Sequence, residues 1–260
     1  METSTAGAVQ TVRPAMSVVG LLSCMIAAAA AGLIGGFILK STADHTVIKL
    51  TKELEDARGT FSPEQRIQVR AIELAADYRN VLLSMSIVGG LTAAFVGLAA
   101  GKLSGTSGGM LVGACLGAVA GGLFGAGGGA LALVVRESLR GWDIIGEAGR
   151  PDIVKSQLHA MAIHAPTWIG VALGVAVAVA GASRNRRQKF LQSAGAGITG
   201  WIIAGLLFPI VASIIFTDSD PDLVIPSGDM SRVLWTTLSA TLIGMMVGRN
   251  LTPESQPPVT

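Results

Sequence analysis

Glycine recurs at every fourth position from Gly97 through Gly101, Gly105, Gly109, Gly113, Gly117, Gly121 and Gly125 to Gly129, and residues 107–135 carry no charged side chain. Four residues advance a helix by 400°, so such a row forms one bare ridge that drifts by about 40° at each step. A ridge without side chains gains nothing from apolar burial. It serves where helices must bring their backbones close, and a bilayer is such a place, because lipid tails are as apolar as leucine and small residues let helices approach. The drift favours helices that cross, near the right-handed small-residue angle of about −40°.

Composition agrees with a membrane chain. Half of the 260 residues are apolar and only 14% are charged, so most of the length is available for apolar helices of about 20 residues, enough to cross roughly 30 Å of hydrocarbon. Six apolar segments qualify, at 16–39, 81–101, 107–135, 161–182, 195–216 and 233–248. The expected fold class is all-α, a polytopic integral membrane helical bundle of about six transmembrane helices, with residues 1–260 as a single membrane domain. The glycine-rich third helix is expected near its centre. Its ladder Gly109, Gly113, Gly117, Gly121, Gly125 and Gly129 supplies the expected helix-packing residues, and it resembles the glycine-zipper segments of several families of bacterial membrane and envelope proteins over the ladder alone. The same ridge could serve a homo-oligomer.

Two polar connections interrupt the spans. Residues 40–80 read as a charged membrane-proximal helical hairpin between spans 1 and 2, with a helix over 46–57, a break at Gly59-Thr60-Phe61, and a second helix opened by Ser62-Pro63-Glu64-Gln65. There Ser62 is the N-cap, proline occupies the first helical position and Gln65 completes a capping box. Ile67, Ala71, Leu74 and Tyr78 lie on one side of that helix, which is expected to run into the second span. The mixed charge of the whole 40–80 hairpin reads first as an ordinary solvated surface, with a docking element for a protein partner as the alternative. Residues 136–160 read as an interfacial connection with Trp142 at headgroup level. Trp168, Trp201 and Trp235 near span starts read as interfacial anchors. Pro166 falls at the start of the fourth span and Pro209 inside the fifth, where it should kink its helix.

Loop charge sets the expected orientation. Arg184, Arg186, Arg187 and Lys189 occupy a connection without acids, while Asp218, Asp220, Asp222 and Asp229 fill the next without bases. Read from these two short unmixed connections, the positive-inside tendency places both termini in the cytoplasm of a multi-pass protein, with a bacterial inner membrane as the expected setting, against the signal of the 40–80 segment, whose seven basic residues the same topology exports. A gapless shift of 84 residues superposes Gly90, Gly97, Gly113 and Gly121 on Gly174, Gly181, Gly197 and Gly205, which suggests a repeated two-span hairpin. Leu21-Leu22-Ser23-Cys24 faintly resembles a lipoprotein cleavage box. The apolar run continues well beyond Cys24, so a retained anchor is expected.

Chemistry is sparse. A net charge of +2 gives no basic patch for nucleic acid. Ionisable residues inside a membrane mark proton relays and ion paths, and the spans hold no carboxylate, lysine or arginine. Cys24 and Cys115 lie in separate spans and imply no disulfide. His159 and His164 are five apart, which separates them around a helix and argues against a shared metal. No catalytic, cofactor-binding or metal residue is assigned. Ser84, Ser86, Thr92, Thr199 and Ser213 are the polar candidates for a pore lining. The expected function is a non-enzymatic membrane scaffold or assembly subunit. The alternative is a passive channel or small-solute transporter, which a continuous hydrated cavity would favour and a dry core would not.

Overall fold

The computed structural model describes residues 17–42, 61–105, 108–140, 153–216 and 223–251. Six helices make up almost all of them: α1 (Val18–Thr42), α2 (Pro63–Ser104), α3 (Gly109–Ser138), α4 (Ile153–Ala182), α5 (Arg186–Ile215) and α6 (Asp229–Gly248). Each is long and apolar enough to cross a membrane. The chain is therefore a multi-pass, all-α membrane bundle. The expected helix at 46–57, Trp142, and Asp218, Asp220 and Asp222 lie outside the described residues.

The 42 residues of α2 span about 63 Å at 1.5 Å per residue, roughly twice the hydrocarbon thickness. The helix starts where the sequence marks a start. The Ser62 side chain accepts from the Gln65 backbone N–H at 3.2 Å, and the Gln65 side chain accepts from the Ser62 N–H at 2.9 Å. It ends at Gly105, whose φ of +60° is the left-handed conformation that glycine tolerates, and Gly108 with φ +80° opens α3.

Helices α2 and α3 meet through paired backbones. Val81 and Met85 face Gly129, Met85 faces Gly125, Gly89 faces Gly121, Ala93 faces Gly117, Gly97 faces Gly113 and Gly101 faces Gly109 and Met110. Contact thus persists along the whole span. Rows that drift about 40° every four residues stay together when the two helices wrap around each other with a right hand, the sense set by a repeat longer than 3.6 residues. On its adjoining side α3 meets α4. A Cβ on Gly128 would stand 2.8 Å from the carbonyl oxygens of Pro166 and Thr167, and one on Gly174 would stand 2.5 Å from the Gly121 Cα.

A second ladder joins α1 to α6. Gly20, Cys24, Ala28, Gly32 and Gly36 follow at intervals of four, and Gly20 faces Gly248, Cys24 and Ala28 face Gly244, Gly32 faces Thr236 and Ala240, and Gly36 faces Val233 and Thr236. Helix α5 closes the ring, with Gly197 against Ala172 and Gly205 against Ala165 of α4, and Gly200 against Ile243 of α6.

The centre belongs to α4. Of its most apolar stretch 61% is buried, against 33% for α3, so the expected central place of the glycine helix is corrected. Apart from the exposed Gly127, the glycines of α3 gather on its inner face, while Leu111, Val119, Leu123 and Val134 on its other side are exposed, as suits a lipid-facing surface. The offset-84 repeat is also corrected in register. Shifting Gly105 and Gly108, which flank the first connection, by 84 lands on 189 and 192, inside α5, whereas the second turn occupies 183–185.

Candidate functional site

Because the helices alternate in direction, the bundle has two ends of different chemistry. One, the turn end, holds the start of α1, Gly105 and Gly108 between α2 and α3, the turn at 183–185, and the end of α6. Lys102, Arg184, Arg186, Arg187, Lys189 and Arg249 lie there, with no carboxylate among the described residues. Three of these, Arg186, Arg187 and Lys189, sit in the first turn of α5 and not in a loop as the sequence suggested. Cations are unfavourable at a helix N-terminus, so their place there reflects the membrane surface and not helix stability.

The opposite, extension end contains every described carboxylate, Glu64, Glu73, Asp77, Glu137 and Asp229. Ion pairs cross-brace it. Arg136 of α3 meets Asp77 of α2 at 2.8 Å, Arg70 of α2 meets Glu137 of α3 at 3.4 Å, and Lys40 of α1 meets Asp229 of α6 at 3.2 Å. Below these braces Tyr78 packs on the core, whereas Ile67, one face-mate higher up α2, is exposed. The apolar stripe read from the sequence therefore begins inside the bundle and ends uncovered beyond it.

A cavity of about 210 Å³ opens at this end between α1, α2, the end of α3 and residues 223–232. Asp77, Asn80, Ser84, Arg136, Ser227 and Arg232 give it a polar lining, and Leu39, Val81, Leu83 and Val224 an apolar one. Arg232 is mostly buried. Its Nε donates to the Pro226 carbonyl at 2.8 Å, and a guanidinium nitrogen lies 3.8 Å from Asp229.

Under the buried Val224 lies an aromatic cluster that the sequence reading missed. His164, which hydrogen-bonds the Val224 backbone, packs edge-on against Phe208 at 5.3 Å between centroids and tilted against Trp235 at 6.0 Å. Trp168 meets Trp235 edge-on at 5.1 Å. Trp168 and Trp235 are fully buried, so neither is the interfacial anchor expected of it. For Trp168 the reason is register. Helix α4 begins at 153, eight residues before the apolar run that marked it, which puts Trp168 in mid-helix. Trp201 is half-buried and donates its indole N–H to the Ala165 carbonyl next to Pro166. The Nδ1 of His164 and the indole nitrogens of Trp168 and Trp235 find no hydrogen-bond partner among the described residues.

The remaining polar candidates scatter. Ser84 lines the cavity and Thr92 is fully buried, while Thr199 and Ser213 fold back onto the Gly195 and Ile210 carbonyls on exposed helix faces. Ser86 is half-buried, and of the five candidates Ser84 is the one that lines the cavity. His159 and His164 are both buried, and no group of three metal-ligating side chains converges among the described residues. Cys24 is buried and Cys115 exposed, both as free thiols. The ladder residues Gly109, Gly113, Gly117, Gly121, Gly125 and Gly129 are all buried.

Fold and site together define a multi-pass membrane protein held by small-residue helix contacts, with a charged cavity at one end. Comparison with protein families, with curated proteins and with solved structures finds no match to this chain.

Proposed function

We propose that the protein is a non-enzymatic membrane scaffold or assembly subunit whose protruding start of α2 meets a partner. The observation that carries this reading is the pairing of backbones along α2–α3, α3–α4 and α1–α6. Where a methyl group does not fit between helices, neither does a water-filled path, and a bundle so closed is suited to holding a shape. Its rigid end then presents residues 63–76 with Ile67 uncovered. Self-association through the ladder finds less support, because α2 and α4 of the same chain already occupy that ridge.

The orientation that fits best puts the turn end, with both chain termini, in the cytoplasm of a bacterial inner membrane. What supports this is the short, unmixed connection at 183–185 and the helix ends beside it, with six described cations and no described carboxylate at that end; the extension end carries eight described cations, mixed with five carboxylates. A second reading, a passive channel or small-solute transporter, draws on the cavity at the extension end and its Ser84 hydroxyl. Flux of ions and small neutral solutes into liposomes containing the purified chain tests the choice. The scaffold reading expects rates equal to protein-free liposomes, and reproducible selective flux overturns it.

A further inference from the structure

The cavity at the extension end is independent of the scaffold reading, and its chemistry names a ligand class. Three described charged side chains line it, Arg136, Arg232 and Asp77. Asp77 engages one guanidinium nitrogen of Arg136 at 2.8 Å, and among the described residues the ion pair of Arg232 is a long one, to Asp229 at 3.8 Å. The described lining is therefore cationic by one charge. Both arginine side chains are largely withdrawn from solvent, at 20% and 17% exposure, which strengthens their attraction for an anion. A planar guanidinium suits the oxygens of a phosphate.

Position narrows the class further. The cavity sits at the level where α1 leaves its apolar run at Leu39 and Lys40, and one wall is Leu83, which is 54% exposed on the outer surface of α2 below the charged residues. The opening thus joins a polar chamber to a lipid-facing apolar surface. A water-soluble anion has no use for that side. An amphiphile with a phosphate at the headgroup level and acyl chains beside it fits both parts, and about 210 Å³ is room for a headgroup and not for a whole lipid.

We propose that this cavity is a headgroup site for an anionic phospholipid, with the phosphate between Arg136 and Arg232 and the chains leaving past Leu83. Asp77 is a positioning residue that holds Arg136 towards the cavity.

Native mass spectrometry of the full chain, loaded with phosphatidylglycerol or phosphatidylcholine of identical chains, tests this. The intact protein should retain phosphatidylglycerol about tenfold better, as one or two basic contacts of roughly 1 kcal/mol each imply. The preference should fall to near unity in Arg232→Gln and in the charge-balanced pair Asp77→Asn with Arg136→Gln. Leu83→Trp, which keeps every charge and fills the mouth, should lose it as well and serves if the arginine variants fail to fold. Arg186→Gln with Arg187→Gln at the turn end should keep it. Absence of preference in the intact chain, full preference in folded Leu83→Trp, or loss only in the turn-end variant overturns the proposal. Displacement of the lipid by millimolar glycerol phosphate overturns the lipid as ligand in favour of a soluble phosphate.

Discussion

Gly113 of α3 lies so close to Gly97 of α2 that a Cβ on Gly113 would stand 2.6 Å from the Gly97 carbonyl oxygen. The obstacle is main chain, which cannot rotate out of the way as a side chain could. The same holds at Gly117 against Ala93 and at Gly121 against Gly89. The ridge is therefore a seat for a neighbouring backbone, and two helices of one chain use it.

Substitution along α3 should separate into two classes. Gly121→Ala meets the Gly89 carbonyl and the Ala93 methyl and should destabilise the fold by about 1–3 kcal/mol, the ordinary cost of overpacking. At Gly127 a Cβ meets nothing within 4 Å, so Gly127→Ala should be neutral or stabilising by up to about 1 kcal/mol through helix propensity. Unfolding in graded detergent mixtures, followed by circular dichroism, measures both. Equal effects at the two sites would mean that α3 does not present this face to its neighbours.

The α1–α6 ladder makes an independent demand. A side chain at Gly244 would strike Ala28 and the Cys24 carbonyl, so Gly244→Val should loosen this pair and expose the buried Cys24 thiol. Labelling by a membrane-permeant maleimide, in a Cys115→Ala background, should rise severalfold over the parent. An unchanged rate would show that α1 does not depend on this contact.

At the extension end, Asp77 and Arg136 should couple. Asp77 is 38% exposed, so solvent screens the pair and the interaction free energy in a double-mutant cycle should be about 0.5–1 kcal/mol. The cycle uses Asp77→Asn, Arg136→Gln and both together, read as thermal unfolding in detergent. The coupling should shrink at high salt.

In the aromatic cluster, shape should outweigh polarity. Trp235→Ala removes a fully buried ring that touches three others and should cost about 3–5 kcal/mol. Trp168→Phe deletes an indole N–H that has no partner among the described residues, and its loss should be much milder, because an unpaired buried donor already carries a desolvation penalty. Thermal unfolding of the two variants, with tryptophan emission as a check on burial, compares them. A larger loss in Trp168→Phe would reveal a hydrogen bond at that nitrogen.

Several of these features were readable in advance. Span number followed from apolar length, and the start of α2 followed from Ser62, Pro63 and Gln65, since capping is a local matter. The α3 ladder was visible because every member is glycine. Its counterpart in α1, Gly20, Cys24, Ala28, Gly32 and Gly36 at the same interval, is harder to see, because cysteine and alanine interrupt the row of glycines although they too are small enough to let backbones approach. Trp168 reads as an anchor only if the apolar run marks the start of its helix, and α4 starts eight residues earlier; Trp235 does lie near the start of α6, and its inward side, against His164 and Trp168, is not carried by position in the chain.

By itself the sequence determined a six-span helical membrane chain, the place of its caps and which small residues share a ridge, all consequences of length, hydropathy and helical period within one segment. Only the tertiary structure decided that α4 and not α3 is central, that Trp168 and Trp235 face inward with His164, and that Asp77, Arg136 and Arg232 meet at one cavity. In water an apolar stripe tells which side of a helix is inside. In lipid both sides are apolar, so the choice of neighbour rests on how backbones fit together, which no single helix encodes.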